Sequence, residues 1–385
     1  SELLLSPKVA SRILIAKRDQ RNQVRWEIKI MTSPLKTLHS TSSLHRSMVS
    51  LAAISFAVAL GCISAPAFAK ESISYKTFVR AETDRTMKAY VDQGGFGKFL
   101  HIRQPTPLDK QDVIRMNLDT LYSLGVFDLT TPVTIKLPES DGRFMSALLI
   151  NQDHSMLPVE YAPAEFTLSR ELMGTRYAVV ILRTFNDATN PEDIKAANAL
   201  QDAVTVVQED PGAFEVPDWD LEQLETLRKA VNVLAATATD STGMFGDKAK
   251  LDPVEYLLGA AYGWGGNPKE GALYIPGAPE QNDGKTAHTM TITDEVPVDD
   301  GFVSITVYNK EGYMEPNDLG VNSINNVTAV RNDDGSVTVN AGGCEDGRVN
   351  CVPVTEGWNY IVRMYRPGEA ALSGEYSFPE FEVVE

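Results

Sequence analysis

Apolar residues recur at helical spacing from Ser74 to Gln93, through Tyr75, Phe78, Val79, Met87, Tyr90 and Val91, until Gly94-Gly95 stops the pattern. One helix is predicted there. Between Leu121 and Phe185 the period shortens. Runs at 121–129, 133–137, 144–150 and 177–185 are separated by Pro, Gly and Asp, which reads as strands of an antiparallel sheet. Helical signals then return. Asn190-Pro191-Glu192-Asp193 combines an N-cap, a first-turn proline and acids that suit the helix dipole, followed by Ile194, Ala197, Leu200 and Val204 on one face. Asp218 is placed to cap a second helix, striped by Leu221, Leu224, Leu227, Val231 and Leu234. A third opens at Asp252-Pro253, carries Val254, Leu257, Leu258 and Ala261, and ends at Gly263-Trp264-Gly265-Gly266. Beyond Ala272 the strand texture resumes at 289–293, 302–308, 327–331, 337–340 and 360–365. Asn332-Asp333-Asp334-Gly335 supplies a hairpin turn, because Asp-Gly readily takes positive backbone angles.

This order predicts a multidomain β-rich α+β chain. An N-terminal β domain with its own leading helix occupies 70–189, a helical block 190–266, and a C-terminal jelly-roll-like β-sandwich 267–385. No internal repeat and no low-complexity linker interrupts it.

Upstream of residue 70 the pattern is that of a secretory signal peptide, assigned to 31–69. Lys36 and Arg46 form the basic leader, Met48 to Leu60 the apolar run, and Ala67-Phe68-Ala69 the small-residue cleavage site that leaves Lys70 first. A membrane-spanning anchor needs roughly 20 apolar residues, and Ser55, Cys62, Ser64 and Pro66 interrupt this run. Ala59-Leu60-Gly61-Cys62 has its Leu one place too late for a lipobox. Residues 1–30 precede Met31 and contain seven Lys or Arg; they read as an upstream or non-native extension and are set aside for fold. The expected location is periplasmic or secreted, with no stable membrane anchor after cleavage.

Processing changes the charge. The whole chain carries a formal −17; residues 1–69 hold nine of its 35 bases and three of its 52 acids, so 26 against 49 remain, or −23. Such a balance repels nucleic-acid phosphates and excludes a nucleic-acid partner. Only Cys344 and Cys351 remain, and two cysteines in an exported chain are expected to pair. Closing so short a loop contributes about 2–3 kcal/mol on the chain-entropy account. A metal site at the two thiols is the alternative, weakened by the lack of a nearby His.

Two groups of motifs carry a family resemblance. Asn117-Leu-Asp-Thr-Leu-Tyr122 leading to Val126-Phe-Asp-Leu129, then Asp153-His154 and Gly174-Thr-Arg-Tyr177, resembles the N-terminal domain of the DUF1254 family. Tyr262-Gly-Trp-Gly-Gly266, Tyr308-Asn309, Gly342-Gly-Cys344 and the stretch from Gly357 to Pro367 resemble its usual C-terminal partner, DUF1214. The resemblance extends over essentially all of 70–385. It implies an all-β N-terminal part, a helical middle and a jelly-roll-like C-terminal part in often exported bacterial proteins, and implies no activity. Leu118 departs from the Asn-Arg-Asp-Thr form associated with the first motif, so a donor role at that position is not carried over.

Candidate chemistry is concentrated at strand ends. Asp153 and His154 follow the apolar run ending in Leu149-Ile150; with Asp119 nearby, His154 reads as a general base or as a ligand for a divalent metal. A capping Asp and a hydrogen-bonded surface His are the alternative. Asn117 and Asp119 share a face just before a strand while Tyr122 does not, and both Asn117 and Asp119 also suit a turn. Tyr308, Asn309, Asn317, Asn322, Asn325 and Asn326 give the C-terminal part many amides beside Tyr313, as in sites for neutral polyhydroxylated ligands, or simply turns. On the strand through 360–365, Tyr360, Val362 and Met364 face the core, leaving Arg363 and Tyr365 either to hold an anionic group or to face solvent. Asn326-Val327-Thr328 is a glycosylation sequon, relevant only in a eukaryotic host.

No Gly-rich phosphate loop, no Gly-x-Ser-x-Gly elbow and no paired-His metal motif is present. The function expected is therefore an exported enzyme, hydrolytic and directed at a small molecule or carbohydrate, with a pocket where the β domains meet. A non-catalytic envelope binding protein for a glycan or lipid-derived ligand is the alternative, and a structural or assembly module the third reading.

Overall fold

The computed structural model describes residues 12–18, 24–30, 70–111, 114–238, 240–293 and 296–384. The chain divides into two compact units, 1–67 and 68–385. Of the first, only an antiparallel hairpin is described, joining Arg12–Arg18 to Val24–Ile30. The signal-peptide assignment at 31–69 lies outside the described residues.

In the second unit a five-stranded sheet runs in the order Phe99–His101, Thr120–Asp128, Tyr177–Phe185, Met145–Asn151 and Glu160–Tyr161. Every residue of the central strand Tyr177–Phe185 is buried, which is why its sequence is a nearly unbroken apolar run. Side chains alternate between its faces. Ala178, Val180 and Leu182 meet a three-stranded sheet made of Thr205–Gln208, Val133–Leu137 and Ala164–Leu168, enclosing Phe127, Ile135 and Leu149. Tyr177, Val179 and Ile181 point the other way, toward Met87 of the helix Phe78–Asp92 and toward Trp264. That helix packs with Leu221–Ala235 and Pro253–Tyr262 around Phe78, Trp219, Leu224 and Tyr256.

The middle segment is not purely helical. Thr205–Gln208 is a strand, because Val206 pairs with Ile135 and buries part of its side chain against the N-terminal core. Asn190 and Asp252 cap their helices as the motifs imply, accepting from the backbone N–H groups two and three residues on. The cap of Leu221–Ala235 is Asp220 rather than Asp218, whose carbonyl instead accepts from Glu71 N–H.

The C-terminal part stacks two four-stranded sheets. One runs Ala272–Gly277, Asn359–Tyr365, Val303–Tyr308, Ser323–Asn325; the other Cys351–Val352, Val337–Ala341, His288–Ile292, Glu382–Val383. Ile305, Val339, Trp358, Tyr360, Val362 and Met364 fill the space between them. The expected strand at 327–331 is a turn: Asn325 Oδ1 accepts from the N–H groups of Val327 and Thr328, and the Asn350 amide bonds both backbone groups of Val330. Side chains satisfy backbone that a neighbouring strand would otherwise pair. Asn332–Gly335 does turn, with Gly335 at φ 85°, but joins no hairpin. Cys344 and Cys351 form a disulfide, tying a short 3-10 turn to the edge strand Cys351–Val352. The fold is β-rich α+β, and among the described residues no helix is long and apolar enough to cross a membrane.

Candidate functional site

Strand register sets two arginines in matching surroundings. Across the N-terminal sheet, Tyr122 and Ser146 flank Arg183 from the two adjoining strands. Across the C-terminal sheet, Tyr274 and Ser304 flank Arg363 in the same way, with Asn325 beyond Ser304. Arg363 lies on the face opposite Tyr360, Val362 and Met364, so it turns away from the sandwich core toward the N-terminal part. Aromatic packing joins the two parts beside it: Phe302 stacks on Tyr365 at 4.5 Å, and Phe144 and Phe185 meet Phe302 edge-on at 5.3 and 4.8 Å.

Both guanidiniums are buried, Arg183 at 5% exposure and Arg363 at 3%. Arg183 donates to Asn267 Oδ1 at 2.9 Å and to the Gly265 carbonyl at 2.8 Å. Arg363 donates to Thr306 Oγ1, to Tyr308 OH and to the Arg115 carbonyl, at 2.9, 2.7 and 2.9 Å. All of these partners are uncharged, and among the described residues neither arginine has a carboxylate within ion-pair distance. A buried charge without a counter-charge is costly.

The groups between the two arginines are phenols. Tyr122, Tyr274 and Tyr365 all feel Arg183, and Tyr365, Tyr274 and Tyr122 also feel Arg363. Asn267 Nδ2 lies 3.3 Å from Tyr274 OH, and Asn117 Nδ2 donates to Tyr365 OH at 2.8 Å. Burial opposes ionisation of Tyr122, yet Arg183, Asn117 and Arg363 together outweigh it and hold this phenol below its ordinary value. Burial, with Tyr122 and Tyr274 as neighbours, pushes Tyr365 well up instead. Tyr122 is partly buried.

Residues 117–122 connect these elements. Asn117 Oδ1 accepts from Asp119 N–H at 2.9 Å, the turn role, while its Nδ2 reaches Tyr365 and Thr120. Leu118 packs with Tyr308, Met314 and Ile361. Asp119 accepts from Ser323 Oγ at 2.7 Å and Asn325 Nδ2 at 3.1 Å. The cations near the motif therefore come from the strands, and Leu118 adds apolar contact.

The catalytic set read from sequence does not converge. Asp153 is held by Arg80 and faces Lys248. His154 is buried with φ +56°, its Nε2 accepting from Gly265 N–H at 3.0 Å and its ring 5.4 Å from Trp264. Burial pushes it down to about 3, which removes a base working near neutral pH. Asp119, bound to the C-terminal sheet, shares no partner with either. Among the described residues no group of three His, Cys, Asp or Glu is arranged to hold a metal. Asn117, Tyr122, Tyr308, Arg363 and Tyr365 do come together, whereas Asn309 caps the turn at Glu311 and Tyr313, and Asn322 and Asn325 line a separate cavity. Arg363 and Tyr365 face this junction rather than solvent. Arg183, Tyr274 and Asn267 were not anticipated; the signal for Arg183 is its standing as the one charge within Tyr177–Phe185.

The families described as proteins of unknown function DUF1254 and DUF1214 match residues 96–162 and 276–369. The chain carries both. The DUF1254 match includes Asn117 to Tyr122, and the DUF1214 match includes Arg363 and Tyr365; Arg183, Tyr274 and Asn267 fall between the matched segments. No curated protein matches the chain. The crystal structure of the VPA0106 protein from Vibrio parahaemolyticus is similar at TM-score 0.60 and 19% identity, over 80% of this chain and 98% of that one, a likeness of fold. An uncharacterized protein from Burkholderia cenocepacia aligns at TM-score 0.46 and 16% identity, over 80% and 88%.

Proposed function

We propose that the junction between the DUF1254 and DUF1214 parts binds a small organic anion, a carboxylate or phosphate ester, between Arg183 and Arg363. The observation that carries this reading is two buried guanidiniums that act on the same phenols and have no carboxylate within ion-pair distance, Asp119 being felt by Arg363 only from farther away. An anion placed there supplies the missing counter-charge, and Arg183, with five N–H donors and Asn267, Gly265 and Tyr122 as acceptors, has donors left for it. Hydrolysis has no converging acid–base pair in its favour, so binding is the reading kept.

A ligand that binds only the folded protein raises its melting temperature with concentration. A panel of mono- and dicarboxylates and phosphate esters is therefore expected to contain members that raise it, with the rise lost in Arg183→Gln. If no anion stabilises the protein, or if Arg183→Gln responds like the wild type, the reading fails.

We also propose that the protein works in the periplasm or outside the cell, which the Cys344–Cys351 disulfide and the pattern of 46–69 favour. Mass spectrometry of the native protein is expected to give a chain beginning at Lys70. A native chain that retains residues upstream of Lys70 would count against export by this leader.

A further inference from the structure

The cavity beside Asp119 has neither arginine in its wall and has different chemistry. Its volume is about 200 Å³, and its polar wall includes Asp119, Asp187, Asn322, Ser323, Asn325 and Thr328. Leu118 and Ile324 add apolar surface. Asn322, 4% exposed, donates through Nδ2 to the Glu315 carbonyl at 2.7 Å, while its buried Oδ1 has no partner. Asp119 accepts from Ser323 Oγ and Asn325 Nδ2, with Ser304 as a third partner, and three donors leave part of a carboxylate's lone-pair capacity open.

These groups ask for hydrogen-bond donors. No Lys, Arg or His lines the cavity, and two carboxylates do, so an anion is excluded. A cation is also disfavoured. Asp187 Oδ1 is already taken by the N–H and hydroxyl of Thr189, and burial, outweighing the bonds from Ser323, Asn325 and Ser304 and the pull of Arg363, raises the Asp119 carboxyl above its ordinary value. Neutral hydroxyls fit both needs, since each can donate to Asn322 Oδ1 or Asp119 and accept in return. The space lies below the roughly 300–1,000 Å³ of drug-sized pockets and suits a single ring.

We infer that this cavity is a subsite for one neutral sugar or polyol, with Asn322 Oδ1 and the Asp119 carboxyl accepting its hydroxyls. Asp119 also feels Arg363, and Asn325 lies two strands from it, but the ligand here is uncharged and Asn322 lies outside the arginine cluster, so this inference and the anion reading fail on different compounds. The test is isothermal titration and saturation-transfer NMR of the purified protein against neutral pentoses, hexoses, inositol and mannitol, with ethanolamine as the cationic comparison. At least one neutral compound is expected to bind, tenfold or more weakly in Asn322→Leu. Ala329→Phe, which fills the cavity from a partly exposed wall without removing a hydrogen bond, is expected to abolish binding while circular dichroism stays that of the wild type. Absence of binding by every neutral compound, preference for ethanolamine, or unchanged affinity in a folded Ala329→Phe protein overturns the inference.

Discussion

Lowering the pH from 6.5 toward 3 is expected to destabilise the protein progressively, and His154→Asn is expected to remove most of that slope. The His154 imidazole is buried and held down to about 3, whereas in the unfolded chain it titrates near its ordinary value of 6.5. Its folded-state pKa is thus depressed. The associated stability is fully present above pH 6.5, falls as the unfolded chain takes up a proton, and levels off below about 3, where the folded form protonates too. Integrated over that window the loss is on the order of 5 kcal/mol. Asn is the informative replacement because the backbone at 154 has φ +56°, a region that Asn tolerates better than most residues. Urea midpoints measured at unit pH steps give the slope. Asp128 is the control: burial opposes its ionisation, but Arg176 and Thr130 hold it down to about 2, so its own contribution disappears only as pH falls from the ordinary carboxylate range toward 2. That later loss is expected in both proteins. Equal slopes for wild type and His154→Asn between pH 6 and 4 would show that the imidazole is not buried neutral.

The same residue illustrates how neighbours in sequence part in the fold. Asp153 and His154 both follow a strand, but the Asn151 side chain accepts from the N–H groups of Asp153 and Ser155, folding a tight turn with His154 in the left-handed region. Asp153 is thereby sent outward to Arg80 and His154 inward to Trp264. Local chemistry was readable where one residue type is required, as at the Asn190 and Asp252 caps and along the apolar strand Tyr177–Phe185. It was ambiguous where two residues were equally suitable. Asp218 and Asp220 both precede the same stripe, and the bond from Glu71 to the Asp218 carbonyl decides between them only in the folded chain. The strand Thr205–Gln208 was illegible for a related reason, since its partner Val133–Leu137 is distant in sequence. Five of the proposed ligand residues nonetheless meet at one place, because period-two alternation puts Arg363 and Tyr365 on the face that also receives Asn117. Arg183 belongs to no motif, and its only sequence signal is a solitary charge in a fully buried strand.

Arg363→Ala is expected to lower stability by about 3–5 kcal/mol, the larger part of it by loosening the contact between the two β parts. Truncation deprives Thr306 Oγ1, Tyr308 OH and the Arg115 carbonyl of their donor and leaves a void facing the phenols. The Arg115 carbonyl belongs to a residue at φ +58°, so the guanidinium also fixes a segment whose backbone is unfavourable for Arg. Tyr308→Phe removes one hydroxyl that bonds Met116 and receives from Arg363, and is expected to cost about 1–2 kcal/mol. Because the two residues share a network, the double variant Arg363→Ala with Tyr308→Phe is expected to lose less than the sum of the single losses. Denaturant unfolding of the four proteins measures the cycle. Additive losses, or a cost below about 1 kcal/mol for Arg363→Ala, would mean that the guanidinium does not hold the junction together. Arg183 bonds none of the C-terminal sandwich sheets, so its removal is expected to affect the anion response more than the stability. Arg363 is expected to affect both, which separates a clamp between the two parts from a group held ready for a ligand.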